Sequence, residues 1–209
     1  MTAEGQVGIR YIGDGGETEL RLDKTSALVV TDGHAKYTEA VLRGNVYVQR
    51  VGGATATAFT GGAAGTPLLS VYNPVGSGRN LVVLGVGVAS RAAASAAGVV
   101  GFNLWAGVSV LPTGTATPAV NLYSQQAAGS SAVTFVNTAN TSGSATTLVL
   151  PLGSYYWATA AGAIFTPSFF DVAGMIVVAP GVLLCLGATA ALTSATYDAS
   201  LIWEEIPII

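Results

Sequence analysis

Two apolar runs meet at a loop-forming segment near the middle of the chain. The first run begins at Leu68 and stops at Asn73-Pro74, residues 76–78 are Gly-Ser-Gly, and a second run continues to Val88. Two β-rich runs separated by Pro, Gly and Ser predict two strands joined by a hairpin loop. Strict alternation would divide the second strand into two faces, one with Val82, Leu84, Val86 and Val88 and the other with Leu81, Val83, Gly85 and Gly87. A strand with apolar residues on both faces is expected to be buried.

Short runs of the same kind recur along the chain, separated by Gly, Ser and Asn. They predict further strands at 46–51, 99–110, 119–124, 132–137, 146–152, 163–165, 174–178, 182–186 and 199–206. The uncharged segment 172–194 is broken at Pro180-Gly181, so we interpret it as two strands and a turn rather than as a membrane span. This spacing of strands predicts an all-β protein, an antiparallel β-sandwich of jelly-roll-like type.

The charged residues are concentrated in the first quarter of the chain. Residues 1–50 hold six of the eight Lys/Arg and seven of the eleven Asp/Glu, which is thirteen of nineteen charges. Such a shift in composition suggests parts with different surroundings. We predict a charged N-terminal β-hairpin or extended arm at 1–50, a Gly/Ala/Thr-rich linker or edge at 51–65, and a sandwich domain at 66–209.

The arm itself has a hairpin pattern. Residues 6–12 and 17–22 flank a Gly-Asp-Gly-Gly turn, which predicts two paired strands, and 27–30 predict another short strand. Residues 34–43 fit a short helix or an extended run about equally well. The first five residues lack the basic and apolar regions of a signal peptide, so we expect a protein made in a cytoplasm.

Composition excludes several classes of function. The net charge is −3, which argues against general nucleic-acid binding because that needs a basic surface. The single cysteine, Cys185, excludes an internal disulfide framework, and its apolar neighbours predict a buried thiol. His34 is the single histidine, so a histidine-based metal cluster is not available, and we expect it in a turn or at the surface.

No catalytic constellation emerges from the sequence. No Gly-x-Ser-x-Gly motif is present, and the loop before Arg79 lacks the ending of a phosphate-binding loop. Adjacent residues on a strand point to opposite faces, so Glu204 and Glu205 cannot act as a carboxylate pair; we expect them to end the last strand and keep its edge soluble. We therefore predict a protein that is not an enzyme, with no metal or cofactor.

Five segments resemble virion structural proteins of tailed bacteriophages. They lie at 8–32, 39–47, 72–82, 177–184 and 201–205, and the third resembles an Asn-Pro-x-Gly-Ser-Gly-x-Asn strand-loop-strand pattern of that group. The resemblance implies a β-sandwich, often a jelly roll, that works as a trimer or dimer in the virion. Such proteins act by burying surface against each other and against neighbouring virion proteins rather than by catalysis.

Two functions follow from that resemblance as hypotheses. The first is a capsid decoration (cement) protein that binds the major capsid protein or another virion protein through its charged arm, and neither nucleic acid nor a membrane. Its candidate anchoring residues are Arg10, Arg21, Lys24, Lys36 and Arg43, and its candidate subunit-packing residues are Gly85 and Gly87 on a nearly flat strand face. The alternative is a tail or fibre protein that recognises a host surface glycan on a platform of Tyr155, Tyr156 and Trp157.

Overall fold

A computed structural model describes residues 36–59, 65–108, 113–127, 129–136, 146–157 and 167–208. The chain divides into two units, Met1–Glu39 and Ala40–Ile209. The predicted strands at 6–12, 17–22, 27–30 and 163–165, together with His34, lie outside the described residues.

Ten strands and one short helix form from the described residues. In chain order they are α1 (Thr38–Leu42), β1 (Val46–Thr55), β2 (Leu69–Tyr72), β3 (Arg79–Ala92), β4 (Gly98–Val108), β5 (Val120–Asn121), β6 (Val133–Val136), β7 (Thr147–Trp157), β8 (Ser168–Val178), β9 (Val182–Ala188) and β10 (Thr196–Pro207). Of the ambiguous segment 34–43, the structure describes residues 36–43, and 38–42 form the short helix, which is followed by Gly44 at positive φ.

The strands form two five-stranded antiparallel sheets. Sheet 1 has the order β5-β1-β10-β3-β8, and sheet 2 has the order β6-β2-β9-β4-β7. The prediction of an all-β antiparallel sandwich is therefore confirmed. The predicted pair of strands in 172–194 is also confirmed, since β8 and β9 are joined by a turn in which Gly181 has a φ of 82°. Among the described residues, no helix combines the length and the apolar character needed to cross a membrane.

The core lies between the sheets and is filled by alternate residues of each strand. Along β10, Tyr197, Ala199, Leu201 and Trp203 face inward and are at most 4% exposed, whereas the residues that alternate with them are partly exposed. The Tyr197 and Phe102 rings meet edge to face with centroids 5.2 Å apart, which links β10 to β4 across the sandwich. Burial of one such large side chain is worth about 2–3 kcal/mol.

Strand β3 departs from strict alternation at a β-bulge. Its register against both β10 and β8 shifts between Val83 and Gly85, so Leu84 has no partner residue in either neighbour. The extra residue reverses the alternation, and Leu81, Val83, Val86 and Val88 all join the core. The prediction that Gly85 and Gly87 share a face with Leu81 and Val83 is wrong for this reason.

The Gly-Ser-Gly loop joins two strands but does not form a hairpin. Strand β2 pairs with β6 and β9 in sheet 2, whereas β3 pairs with β10 and β8 in sheet 1. Residues 73–78 therefore carry the chain from one sheet to the other. Positive φ at Gly76 and Gly78 fits this tight crossing, because glycine adopts that conformation at little cost.

The sandwich begins earlier than the sequence predicts. Strand β1 crosses the predicted boundary at residue 50 and pairs along its length with β10, so residues 46–50 belong to the sandwich rather than to an arm. The boundary between the two compact units falls after Glu39. Apolar composition did not mark this boundary because Gln49 and Arg50 gave β1 the polar character of the preceding segment.

Part of the predicted linker packs against the outer face of sheet 2. Phe59 is 1% exposed and donates its backbone N–H to the carbonyl of Ala188 at 2.7 Å. Its ring lies against Gly187, where an added Cβ would come within 2.5 Å of it, and meets Trp105 edge to face at 6.1 Å. The Gly/Ala/Thr-rich segment thus includes one aromatic residue that covers the sheet.

Candidate functional site

The predicted anchoring residues are only partly described. Arg10, Arg21 and Lys24 lie outside the described residues. Lys36 places its Nζ 5.0 Å from the centre of the Tyr37 ring, and Arg43 is exposed just after α1. Their role in anchoring therefore stays a prediction.

The predicted aromatic platform is wrong for its two tyrosines. Tyr155 turns toward the core, where its ring lies 5.9 Å from that of Phe102 and its hydroxyl lies 2.6 Å from Ser168 Oγ. Tyr156 points outward and is 69% exposed. Consecutive strand residues face opposite sides of a sheet, so the two rings cannot stack on one ligand. The side chain of Trp157 lies outside the described part of the chain.

Gly85 and Gly87 lie on the outer face of sheet 1, and a neighbouring strand explains Gly85. An added Cβ at Gly85 would come within 2.3 Å of Cζ of Phe169, and one at Gly87 would come within 2.6 Å of Ser200 Oγ. The tip of the Phe169 ring therefore fills the space that a side chain at 85 would need. An aromatic ring over a strand glycine restores packing that the glycine lacks. Subunit packing at these glycines stays a prediction.

Asn73 joins three parts of the chain at one end of the sandwich. Its Nδ2 donates to the carbonyls of Arg79 and Val178, both at 2.8 Å. Its backbone N–H donates to the carbonyl of Val182 at 3.0 Å, and its own carbonyl accepts from Gly181 at 2.7 Å. Because Asn73 is fully buried, these bonds fix the start of the crossing loop against the β8–β9 turn.

A second buried polar group, the carboxylate of Glu205, holds a loop near the same end. Its oxygens accept from the hydroxyls of Ser130 at 2.6 Å and Ser131 at 2.8 Å, and from the Ser131 N–H at 3.0 and 3.1 Å. The Trp203 indole N–H lies 3.4 Å away, and Arg79 Nε lies 3.9 Å away. Glu205 is 0% exposed, so the expectation that it keeps a strand edge soluble is wrong. The expected opposite orientation of Glu204 and Glu205 is confirmed by their burial.

Glu205 could have been identified from the sequence. It continues the alternation Tyr197, Ala199, Leu201, Trp203, whose members all face inward. A carboxylate at that position must be buried, and a buried carboxylate needs hydrogen-bond donors. What the sequence could not provide is the donors, because Ser130 and Ser131 lie about 75 residues earlier in a loop without a distinctive motif.

A concave surface lies on the outer face of sheet 1. It is a groove of about 660 Å³ with contributions from β1, β10, β3 and β8. One row of cross-strand neighbours forms its base: Arg50 pairs with Ser200, Ser200 with Gly87, and Gly87 with Phe169. Along the row these four residues provide, in order, a guanidinium cation, a hydroxyl group, the open space above a glycine and an aromatic ring.

An ion pair forms the wall beside that row. Arg91 Nη1 lies 3.7 Å from Asp198 Oδ1, and the same oxygen accepts the Gly53 N–H at 2.8 Å. Both ions remain accessible, with 61% of the Arg91 side chain and 49% of the Asp198 side chain exposed. Gly52 and Gly53 lie at a register shift in β1, and an added Cβ at either would be in ordinary van der Waals contact with Arg91, at 3.4–3.5 Å. Gly53 also has a φ of 67°, which favours glycine. The sequence analysis predicted subunit packing for Gly87 and did not predict a binding site at any residue of this groove.

Reactive groups among the described residues are buried or separated. Burial raises the pKa of Cys185 to about 12, and its Sγ lies 3.3 Å from Ser70 Oγ, so the thiol stays protonated at neutral pH. Its predicted burial is confirmed at 0% exposure. Within the described ranges, no group of three or more His, Cys, Asp or Glu side chains is arranged to hold a metal ion.

No protein-family model, characterised protein or solved structure matches the chain. The two features that concentrate polar side chains are therefore interpreted from their own geometry. The end of the sandwich around Asn73 and Glu205 is buried, and the Asn73 amide nitrogen and the Glu205 carboxylate each make several hydrogen bonds within the protein, which suits a structural role. The groove is open and keeps charged groups accessible, which suits binding.

Proposed function

We propose that the chain is a non-enzymatic structural protein of a tailed-bacteriophage virion, and specifically a capsid decoration protein that binds the shell surface and stabilises it. One observation carries this proposal. Three segments that resemble phage virion proteins, 72–82, 177–184 and 201–205, are far apart in the chain but meet at one end of the sandwich.

Their meeting is specific at the level of single atoms. Asn73 of the first segment donates to Val178 of the second at 2.8 Å, and Leu81 of the first is paired with Glu205 of the third. Arg79 approaches the Glu205 carboxylate at 3.9 Å. Residues that together build one buried structure would be retained together in related chains, which is why the joint resemblance supports a common fold and role.

The strand order supports a jelly-roll-like sandwich, which is the fold expected of such a virion protein. Apart from the short β5 and β6, the first strand in the chain pairs with the last, and each following strand pairs with the one before that. The pairs are β1 with β10, β2 with β9, β3 with β8, and β4 with β7. Such nesting is expected when one long hairpin folds over into two sheets, as in a jelly roll. Jelly rolls are common in viral capsid proteins, although they also occur in lectins.

The N-terminal unit Met1–Glu39 is the proposed anchor on the capsid. Its sequence holds four Lys/Arg and seven Asp/Glu, so both signs of charge are available for complementary pairing with a partner. A decoration protein that binds only the assembled shell shifts the equilibrium toward that shell, because binding to one state stabilises it. Modest contacts would then add up over many copies.

Self-association, as a trimer or a dimer, is part of the same proposal. Among the described strands, β8 lies at the edge of sheet 1, and it exposes Met175 by 75% and Val177 by 51%. The strand has a single charged residue, Asp171, so it lacks the lysines that often protect exposed edges. A second copy that covers this edge would bury both side chains.

The proposal is tested by the location of the protein and by removal of its N-terminal unit. Quantitative mass spectrometry of purified virions should give a copy number comparable to that of the shell subunit, whereas a tail or fibre protein would be present in far fewer copies. A variant lacking residues 1–37 retains α1 and all ten of the strands described above, so we expect the sandwich to fold. It should no longer co-sediment with undecorated capsids.

Two results would contradict the proposal. Absence of the protein from purified virions would exclude any structural role there. Co-sedimentation of the truncated variant at the occupancy of the full chain would exclude the N-terminal unit as the anchor. Circular dichroism of both proteins controls for misfolding, because an intact sandwich should give the same β-sheet spectrum.

A further inference from the structure

We propose that the groove on the outer face of sheet 1 is a binding site for a carboxylate-bearing oligosaccharide. This inference does not rest on the proposed virion role. It starts from the row Arg50, Ser200, Gly87 and Phe169, which crosses four adjacent strands. With neighbouring strands about 4.8 Å apart, the row spans about 14 Å, the scale of a short oligosaccharide rather than of a small ion.

The local charge of the groove selects an anion. Its lining contains two arginines, Arg50 and Arg91, and one carboxylate, Asp198, although the whole chain has a net charge of −3. Arg91 is paired with Asp198 at 3.7 Å. Among the described residues, Arg50 has no ion-pair partner, and it is exposed. A guanidinium binds a carboxylate through two parallel hydrogen bonds, so Arg50 is the proposed contact for the acidic group.

The other end of the row provides an apolar surface. The tip of the Phe169 ring occupies the space above Gly85, and 61% of Phe169 remains exposed. The carbon-hydrogen face of a sugar ring is apolar and can pack on such an aromatic surface. A peptide or nucleotide could also contact Phe169, but the base between the two ends favours a sugar.

Between its two ends, the base of the groove is formed by residues with small side chains. Gly87 and Ala89 leave space above β3, and Ser200 brings a hydroxyl to the centre of the row. A side chain at Gly87 would collide with Ser200 Oγ at 2.6 Å and would fill the groove. When a sugar lies between Arg50 and Phe169, its hydroxyls can hydrogen-bond to Asp198 and Ser200. Hydroxyls, an apolar ring face and a carboxylate are found together in uronic and sialic acid sugars.

The test is amide chemical-shift mapping during titration with two matched sugars. Sialyllactose and lactose differ by one acidic residue, and a hyaluronan tetrasaccharide provides a uronate instead of a sialate. We expect saturable shifts with at least one acidic sugar at the amides of Gly53, Gly87 and Ser200, and none with lactose. Arg50→Gln should weaken this binding about tenfold or more, and Arg50→Lys should weaken it less.

The aromatic end is tested with a matched pair of variants. Phe169→Ala should weaken binding about tenfold, whereas Tyr123→Ala, which removes another aromatic ring that is 61% exposed, should leave it unchanged. Thermal denaturation of each variant shows whether it remains folded. If Phe169→Ala does not, Phe169→Tyr is a second test, and because it keeps an aromatic ring it should keep most of the affinity.

Three outcomes would overturn the inference. The first is that neither acidic sugar shifts the groove amides at millimolar concentration. The second is that lactose binds as well as sialyllactose, because Arg50 would then have no role in recognition. The third is that a glutamate oligopeptide binds the groove through Arg50 while both sugars fail, which would make it a peptide site. None of these results bears on capsid binding, so the virion proposal can stand or fail separately.

Discussion

Two of the three carboxylates of strand β10, Glu205 and Asp198, each lie near an arginine but differ in burial. Glu205 faces the core, is 0% exposed and accepts bonds from Ser130 and Ser131. Asp198 faces outward, is 49% exposed and accepts one backbone N–H. Each has an arginine close by, at 3.9 Å for Glu205 and 3.7 Å for Asp198.

The difference shows that the face of the strand, rather than the ion pair, decides the role of each carboxylate. A buried carboxylate costs free energy unless donors surround it, so Glu205 depends on the donors of the loop that contains Ser130 and Ser131. An exposed pair is weakened by water and salt, so Asp198 adds little to stability and remains available to a ligand. The inner face thus maintains the fold, while the outer face can bind.

The largest expected effect comes from loss of the buried carboxylate. Glu205→Ala should lower the free energy of unfolding by about 3–5 kcal/mol, because it leaves the donors of Ser130, Ser131 and Trp203 without an acceptor. Chemical denaturation followed by tryptophan fluorescence measures this change. Glu205→Gln should cost less, since an amide oxygen can still accept one of these bonds.

Glu204→Ala is the control for that experiment. Its side chain is on the other face of β10, so removal should change the free energy of unfolding by no more than about 0.5 kcal/mol. Equal destabilisation by the two alanine variants would show that burial does not distinguish the neighbouring glutamates.

A smaller effect is expected where the outer face is itself packed. Gly85→Val would place atoms within 2.3 Å of Phe169 Cζ, so the ring must move, at a cost of about 1–3 kcal/mol. Thermal or chemical denaturation measures it. In a Phe169→Ala background the same substitution should be much less costly, because its obstacle is gone. An equal cost in both backgrounds would mean that Phe169 is not the reason for glycine at 85.

Much of this fold could be predicted from alternation alone. The runs around Val86 and Val182 were predicted as strands, and both are strands at nearly those positions. Alternation cannot show where it is interrupted, and the unpaired Leu84 changed the face of every later residue in β3. A bulge forms because of register with β10 and β8, which the local sequence does not contain.

The groove could not be predicted for a related reason. Arg50, Ser200, Gly87 and Phe169 come from four strands and are neighbours only because of strand order and register. Tyr155, Tyr156 and Trp157 appeared more suitable because they are consecutive, yet Tyr155 packs against the core while Tyr156 is exposed on the other face. Sequence proximity was therefore a poor guide to a binding surface in a sheet.

The smallest expected effect on stability is at the outer carboxylate. Asp198→Asn keeps an oxygen that can accept the Gly53 N–H and loses only an ion pair whose members are 61% and 49% exposed. It should therefore change the free energy of unfolding by less than about 1 kcal/mol, and that change should shrink as salt is added. Chemical denaturation at low and high salt measures both effects. Asp198→Ala removes the acceptor as well, so it should be the more costly of the two and should remain costly in salt. A large, salt-independent loss in Asp198→Asn would mean that the outer ion pair supports the fold as Glu205 does, and the contrast between the two faces of β10 would fail.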